Sequence, residues 1–163
     1  MTPAAALWFL PFVAPIALFV AWSDMKAMKI PNKAVLALVA VFAVVGLLAL
    51  PLEAYLWRWL HLAVVLGIGF VLATGGLIGA GDAKFAAAMA PFVALSDAVM
   101  FCYMFSAVLL AAFLTHRTAR RIPAVVNALP DWESWHRKKD FPMGLALGGV
   151  LVIYLAAQAL RVA

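Results

Sequence analysis

Two aspartates at the borders of apolar stretches are the residues of this sequence best suited to chemistry. Asp24 follows the first apolar run, and Asp82 lies in the motif 79–84, Gly-Ala-Gly-Asp-Ala-Lys, between two further runs. A carboxylate at the edge of a membrane costs free energy unless it is paired, hydrated or used in function. The glycines are expected to end the preceding helix and to leave the backbone beside Asp82 free of side chains. These acids are therefore the first functional candidates.

The composition indicates that both acids belong to a helical membrane protein. Of the 163 residues, 68% are hydrophobic and 12% are charged, whereas a soluble domain is about half apolar. About 20 apolar residues cross the hydrocarbon core as a helix. We predict an all-α, polytopic membrane protein with a single domain over 1–163 and six transmembrane helices at 4–22, 34–50, 60–78, 85–95, 98–115 and 142–160. The fourth is too short to cross without help from its flanks.

Local signals set the borders of these helices. The first run contains Pro11 and Pro15 but has no basic segment before it and no small-residue cleavage site, so it reads as a retained helix rather than a signal peptide. Residues 23–33 form a polar loop, and Pro31 suits the start of the second helix. Residues 51–57 are predicted to be a turn beside interfacial tryptophans. Ser96 and Asp97 resemble an N-cap pair for the fifth helix.

The distribution of basic residues predicts the orientation. Six spans place both termini on one side, and basic residues concentrate in cytoplasmic loops. The first, third and fifth loops hold ten lysines and arginines, and the opposite side holds Arg58 and Arg161. Both termini are therefore expected to be non-cytoplasmic, and both acids to lie at the cytoplasmic edge. The net charge of +5 reports this orientation rather than nucleic-acid binding.

Two carboxylates at one depth can act together. When they share a site, they cannot both ionise cheaply, so the pair retains one proton and one member can act as base while the other acts as acid. A water between them could then attack a carbonyl group. The structural alternative is that Asp24 pairs with Lys26 or Lys29, and Asp82 with Lys84, as ion pairs of little consequence. A transporter also uses acids at broken helices, although near the membrane midplane.

The surroundings of both acids carry a family resemblance. Residues 24–32, Asp-Met-Lys-Ala-Met-Lys-Ile-Pro-Asn, resemble a pattern in which an Asp is followed by basic residues and then Ile-Pro-Asn. Residues 79–84 resemble a second pattern, Gly-x-Gly-Asp-x-Lys, and Phe-Pro-Met-Gly at 141–144 is similar to a Pro-x-Gly element near the end of the same family. Together they resemble the type IV prepilin peptidases, membrane aspartic endopeptidases. Gly-x-Gly-Asp alone also occurs in presenilin-like proteases.

The resemblance implies a function and a set of site residues. Asp24 and Asp82 match the catalytic pair, Lys84 matches a position that tunes Asp82 or orients its loop, and Gly79 and Gly81 would let an extended substrate approach. The implied substrate is a prepilin with a short leader and an apolar helix, cut at the cytoplasmic edge of the bacterial inner membrane, where lipids surround the enzyme. Neither a cofactor nor a metal is implied, and no nucleic acid is expected as partner.

One departure from the larger members concerns methylation. Those members carry a cytoplasmic domain with cysteine pairs before the first Asp and also N-methylate the new pilin terminus. Here Ser23 directly precedes Asp24, and Cys102 is the single cysteine. We therefore expect a peptidase-only enzyme similar to the short prepilin peptidases of Flp/Tad-type pilus systems. The alternatives are a noncatalytic transporter or pilus-assembly subunit, or another membrane aspartic signal peptidase; a lipoprotein signal peptidase fits poorly, because its Asn-Ala-Asp motif is absent.

The remaining candidates have simpler structural interpretations. Ser23 and Lys26 are spaced for a Ser-Lys hydrolase, but a serine at a helix end usually bonds to the backbone. Cys102 is interpreted as a buried apolar residue, although His61 could share its depth. His116 lies about 21 Å further along the same helix at 1.5 Å per residue, too far for a dyad, and His136 is a loop histidine. In the loop 116–141, residues 122–135 are interpreted as an interfacial anchor, with a lid over the acids as the alternative.

Overall fold

The protein is a bundle of α-helices, with no β-strand among the residues described. The computed structural model describes residues 1–137 and 140–161. The helices are α1 (Pro3–Ala27), α2 (Asn32–Ala49), α3 (Leu52–Thr74), α4 (Ala80–Met89), α5 (Ala98–Ala119), α6 (Pro123–Ala128), α7 (Glu133–His136) and α8 (Met143–Ala159), with 3₁₀ turns at Ala90–Phe92 and Leu95–Asp97. The predicted all-α class is confirmed.

Four helices are long and apolar enough to cross a membrane: α1, α2, α3, and α5 with the 3₁₀ turn before it. Helix α8 is apolar but has 17 residues. One contact between residues distant in sequence identifies each end of the bundle. The Met1 amino group lies 2.7 Å from Asp97 Oδ2 at one end, whereas Gly144 N lies 2.7 Å from Asp24 Oδ2 at the other. We call these the Met1 end and the Asp24 end.

The apolar α8 forms the centre of the bundle. It packs most extensively along α1, and α5 also packs against it. A Cβ atom at Gly148 would lie 2.6 Å from the carbonyl oxygen of Ala17, so only glycine allows the two backbones to approach this closely. Phe9 of α1 stacks edge-on against Phe92, as does Phe42 of α2, with ring centroids 4.9 and 5.5 Å apart. These rings join α1 and α2 to the end of α4.

Several predicted borders are wrong. Residues 51–57 are not a turn, because Pro51 occupies the N-cap position and α3 begins at Leu52. Helix α1 continues through Pro11 and Pro15 to Ala27, so Asp24 lies on its last turn rather than in a loop. The fourth predicted span begins five residues early, at Ala80, and breaks into 3₁₀ turns after Met89. A helix of ten residues rises about 15 Å, half of the hydrocarbon thickness.

Two polar residues take structural places that differ from the predictions. Arg58, counted in the orientation argument as a basic residue of the opposite side, is 7% exposed and donates to the carbonyl oxygens of Pro91 and Phe92, groups that the break after α4 leaves without helical partners. Asp97 does occupy the N-cap of α5, but its carboxylate makes no capping bond there. It binds the Met1 amino group and accepts from the Tyr154 hydroxyl at 2.8 Å.

The number of spans and their orientation stay predictions. Lys138 and Lys139, two of the ten basic residues in the orientation argument, lie outside the described residues.

Candidate active site

Asp24 is held at the Asp24 end by the termination of α1. Met28 adopts the left-handed conformation, with φ 50°, and its N–H closes the helix on the carbonyl oxygen of Asp24. The hydroxyl of Ser23 donates to the carbonyl oxygen of Lys29 at 3.0 Å, which fixes the turn that follows. The Asp24 side chain is thereby kept on the inner side of α1, where the residue is 5% exposed.

The first turn of α8 supplies a hydrogen-bond donor to Asp24. The N–H of Gly144 donates to Asp24 Oδ2 at 2.7 Å. Because the first N–H groups of a helix have no partner inside it, this donor is available to a side chain from elsewhere in the fold. The positive end of the helix dipole also favours a carboxylate at this place. A Cβ at Gly144 would lie 2.9 Å from Asp24 Cβ, so a side chain there would displace the acid.

Asp82 is positioned by the first turn of α4. Gly79 is the N-cap residue, so Asp82 stands at the third helical position. From there its carboxylate reaches back to a backbone hydrogen bond with Gly79, as the acid of a capping box does. A Cβ at Gly79 would lie 2.6 Å from Asp82 Oδ2, so a side chain there would turn the carboxylate away from this position. Gly81 is less constrained: a Cβ there would meet Ile30 Cβ at 3.4 Å, an ordinary contact.

Both acids line one polar pocket of about 510 Å³ at the Asp24 end, which we call the acid pocket. Its other walls come from the turn before α2 and from the first turn of α4. Asp82 lies outside the four long apolar helices. Burial and the nearby charge of Asp24 raise the pKa of Asp82 to about 6, against a smaller opposing effect of the Gly79 hydrogen bond. The carboxylates therefore interact electrostatically.

The lysines near the acid pocket do not neutralise these acids. The salt bridges among residues 1–137 and 140–161 include neither Asp24 nor Asp82, so the predicted alternative of local ion pairs is wrong. Lys26 lies over the Trp22 ring at 5.1 Å. Lys84 donates to Asn32 Oδ1 at 3.4 Å, which links α4 to α2. The role of Lys84 stays a prediction, and Asp82 owes its raised pKa to burial and to the charge of Asp24.

The other candidates do not form a second catalytic arrangement. The Ser23 hydroxyl donates to a backbone carbonyl oxygen, as expected for a serine at a helix end, and this bond gives no support to a Ser-Lys hydrolase. Cys102 is exposed rather than buried, which corrects the prediction; it lines an apolar groove together with His61. His136 contacts the Pro130 carbonyl oxygen at 3.1 Å. Within the described residues, no group of three His, Cys, Asp or Glu is placed to hold a metal ion.

Two contacts of this end of the bundle escaped the sequence analysis. The Gly144 amide was not assigned to Asp24, although a glycine in the first turn after Pro142 was a usable signal for a free N–H group. The second contact is the stack of His116 on Trp135, with centroids 5.2 Å apart, which holds α7 against α5. Neither the anchor nor the lid interpretation of residues 122–135 is decided by this stack.

The fold and the acid pocket together define an all-helical, membrane-embedded protein with one buried and one half-buried carboxylate in a pocket at one end of the bundle. The family model described as the type IV leader peptidase family matches residues 11–116, about two-thirds of the chain and a range that includes both acids. The chain belongs to this family and is therefore a peptidase, which confirms the predicted resemblance. No curated protein and no solved structure gives a significant match.

Proposed function

We propose that this protein is an aspartic endopeptidase that removes the leader from prepilins at the cytoplasmic edge of the bacterial inner membrane. The observation that carries the proposal is the meeting of Asp24 and Asp82 in one pocket, without a basic partner for either carboxylate. Membership of the leader peptidase family supports a peptide bond as the bond that is cut. The acid pair then needs only a water molecule as the attacking group.

The environments of the two acids suggest their separate roles. Asp82, with a pKa of about 6, is the member that holds the shared proton. Asp24, oriented by the Gly144 N–H, is the base. Asp24 accepts a proton as the water oxygen attacks the scissile carbonyl carbon, and Asp82 gives its proton to the carbonyl oxygen. The tetrahedral diol then collapses: Asp24 passes its proton to the leaving nitrogen, the C–N bond breaks, and Asp82 recovers a proton from a diol hydroxyl.

Co-expression with a prepilin tests this mechanism. Asp24→Asn and Asp82→Asn should each abolish leader removal, which is followed as a mobility shift on a gel, because neither amide can exchange the protons that the reaction needs. Asp131→Asn is the matched control, since Asp131 is an exposed acid on the α6–α7 segment. Cleavage at the wild-type rate by either of the first two variants would overturn the assignment and would favour a transporter or assembly role.

Thiol labelling tests the proposed orientation. In a Cys102→Ser background, Lys29→Cys places a thiol at an exposed position of the Asp24 end, and Glu53→Cys places one at the first turn of α3. An impermeant maleimide added to intact cells should label position 53 and should label position 29 only after the membrane is opened. The reverse pattern would place the acid pocket on the outer face and contradict cleavage at the cytoplasmic edge.

Peptidase activity without methylation is the expected behaviour of this chain, since no cysteine pair lies between its first apolar run and Asp24. Mass spectrometry of the processed pilin should therefore show an unmodified N-terminus.

A further inference from the structure

A second cavity, of about 640 Å³, opens on the side of the bundle between α3 and α5. We call it the lateral groove. Helix α3 packs on α4 and helix α5 packs on α8, so α4 and α8 form its floor. Its lining is apolar except near His61 and Asp82. In a membrane-embedded bundle, we expect a side groove of this composition to face hydrocarbon rather than water.

The wall contributed by α5 has the form of an unoccupied helix-packing surface. Ala98, Cys102 and Phe105 lie at intervals of four and three residues, which places them on one face of the helix. Over this length α5 rises about 10 Å, or two turns of a facing helix. An 18-residue apolar stretch within Leu95–Ala119 has no buried residue. Cys102, the single thiol of the chain, is therefore accessible from the groove.

The lateral groove ends at the acid pocket. Asp82 lines both cavities, whereas Asp24 lines the acid pocket but not the lateral groove. A molecule that fills the groove thus reaches the acid pair at one end and the Met1 end of the bundle at the other. Peptidases bind polypeptide, and a polypeptide in hydrocarbon must satisfy its backbone hydrogen bonds internally, which makes it a helix. The apolar lining selects apolar side chains on that helix.

We propose that the lateral groove seats an apolar helix of the polypeptide substrate, which enters sideways from the bilayer and presents the residues beyond its end to the Asp pair. This inference rests on the proposed function, because it names how that substrate is bound. It divides recognition into two parts: the groove positions the membrane helix, and the acid pocket receives the extended polar segment that is cut. The competing occupant of an apolar groove is a lipid acyl chain.

Cross-linking through Cys102 tests the position of the helix. Single cysteines placed along the apolar helix of a prepilin are oxidised against the Asp24→Asn enzyme, which retains the Asp82 wall of the groove. Cross-links to Cys102 should recur at intervals of three to four residues, since one face of the bound helix meets α5. The control enzyme carries Cys102→Ser with Leu18→Cys, because Leu18 is exposed on the surface of α1. Cross-linking that is equally efficient at both positions would overturn the proposal.

Filling the groove tests its contribution to catalysis. Ala98→Phe narrows the groove, and Ala107→Phe is the matched control, because Ala107 is exposed and lies nine residues on, half a turn away around the helix. Ala98→Phe should raise KM for a prepilin at least tenfold, and Ala107→Phe should leave it within twofold. A short peptide that spans the cleavage site but lacks the apolar helix should be cut equally by both variants.

The outcomes separate this proposal from the proposed function. If the two Asp→Asn variants are inactive but Ala98→Phe cleaves normally and Cys102 gives no helix-spaced cross-links, the groove proposal fails and the catalytic assignment stands. If wild-type enzyme cleaves no prepilin while the cross-links to Cys102 persist, the catalytic proposal fails and the groove remains a helix-binding site. Native mass spectrometry that finds phospholipid lost in Ala98→Phe, with prepilin cross-linking unchanged, would assign the groove to lipid.

Discussion

Gly144→Ala should strongly reduce the activity of the protein while leaving it folded. The added Cβ would lie 2.9 Å from Asp24 Cβ and 3.0 Å from Asp24 Oδ2, whereas carbon atoms in ordinary contact are about 3.5–4.0 Å apart. Either α8 or the acid must therefore move by about 0.6–1.1 Å. Asp24 cannot absorb the shift by rotating its terminal atoms alone, because its Cβ is fixed to the last turn of α1.

The expected magnitude follows from how strictly a catalytic group must be placed. A displacement of about 1 Å can cost about 100-fold in rate, and forcing a methyl group into a packed site typically costs about 1–3 kcal/mol of stability. We therefore expect kcat/KM for prepilin cleavage to fall about 100-fold. The detergent-solubilised variant should still unfold cooperatively, at a lowered midpoint temperature.

Gly149→Ala is the matched control for this substitution. Gly149 lies on the same helix, and a Cβ there would meet Val108 Cγ1 at 3.5 Å, an ordinary contact. Its activity and stability should stay near those of the wild type. If Gly144→Ala retains full kcat/KM, or if both variants lose activity equally, the contact between α8 and Asp24 does not position the acid and the reasoning is refuted.

Two further predictions concern the acid pair and the packing of the bundle. Burial and the charge of Asp24 raise the pKa of Asp82 to about 6, so kcat/KM should decline as the pH rises above about 6 and Asp82 loses its proton. Asp24→Asn should lower the pKa of Asp82, which can be measured from its carboxyl ¹³C shift. An unchanged pKa would show that the two carboxylates are not coupled. Gly148→Ala should destabilise the protein by about 1–3 kcal/mol in thermal or denaturant unfolding, because its Cβ would lie 2.6 Å from the Ala17 carbonyl oxygen. Gly67→Ala, where nothing lies within 4 Å, should be neutral or stabilising by up to about 1 kcal/mol, and equal losses from both glycines would contradict the close packing of α1 and α8.

The class of the protein and the identity of its two acids were predictable from the sequence. Long apolar runs specify membrane helices by their length and composition, which are local properties. The motifs around Asp24 and Asp82 are also continuous in sequence, so they carry the family resemblance without knowledge of the fold. The helical class was accordingly predicted correctly. The helix borders were wrong where residues predicted to form a turn belong to the helix, as at Leu52 and Ala80.

The tertiary structure alone decided which groups surround those acids. The donor to Asp24 comes from Gly144, 120 residues further along the chain, and its approach depends on how α8 packs against α1. Arg58 is buried because the end of α4 offers it unpaired carbonyl groups, and Cys102 is exposed because α5 packs on one side only. Apolar residues line both the core and the membrane surface of such a bundle, so composition cannot distinguish the two environments. Packing between helices that are distant in sequence decides which apolar residues are buried, and it also forms the acid pocket and the lateral groove.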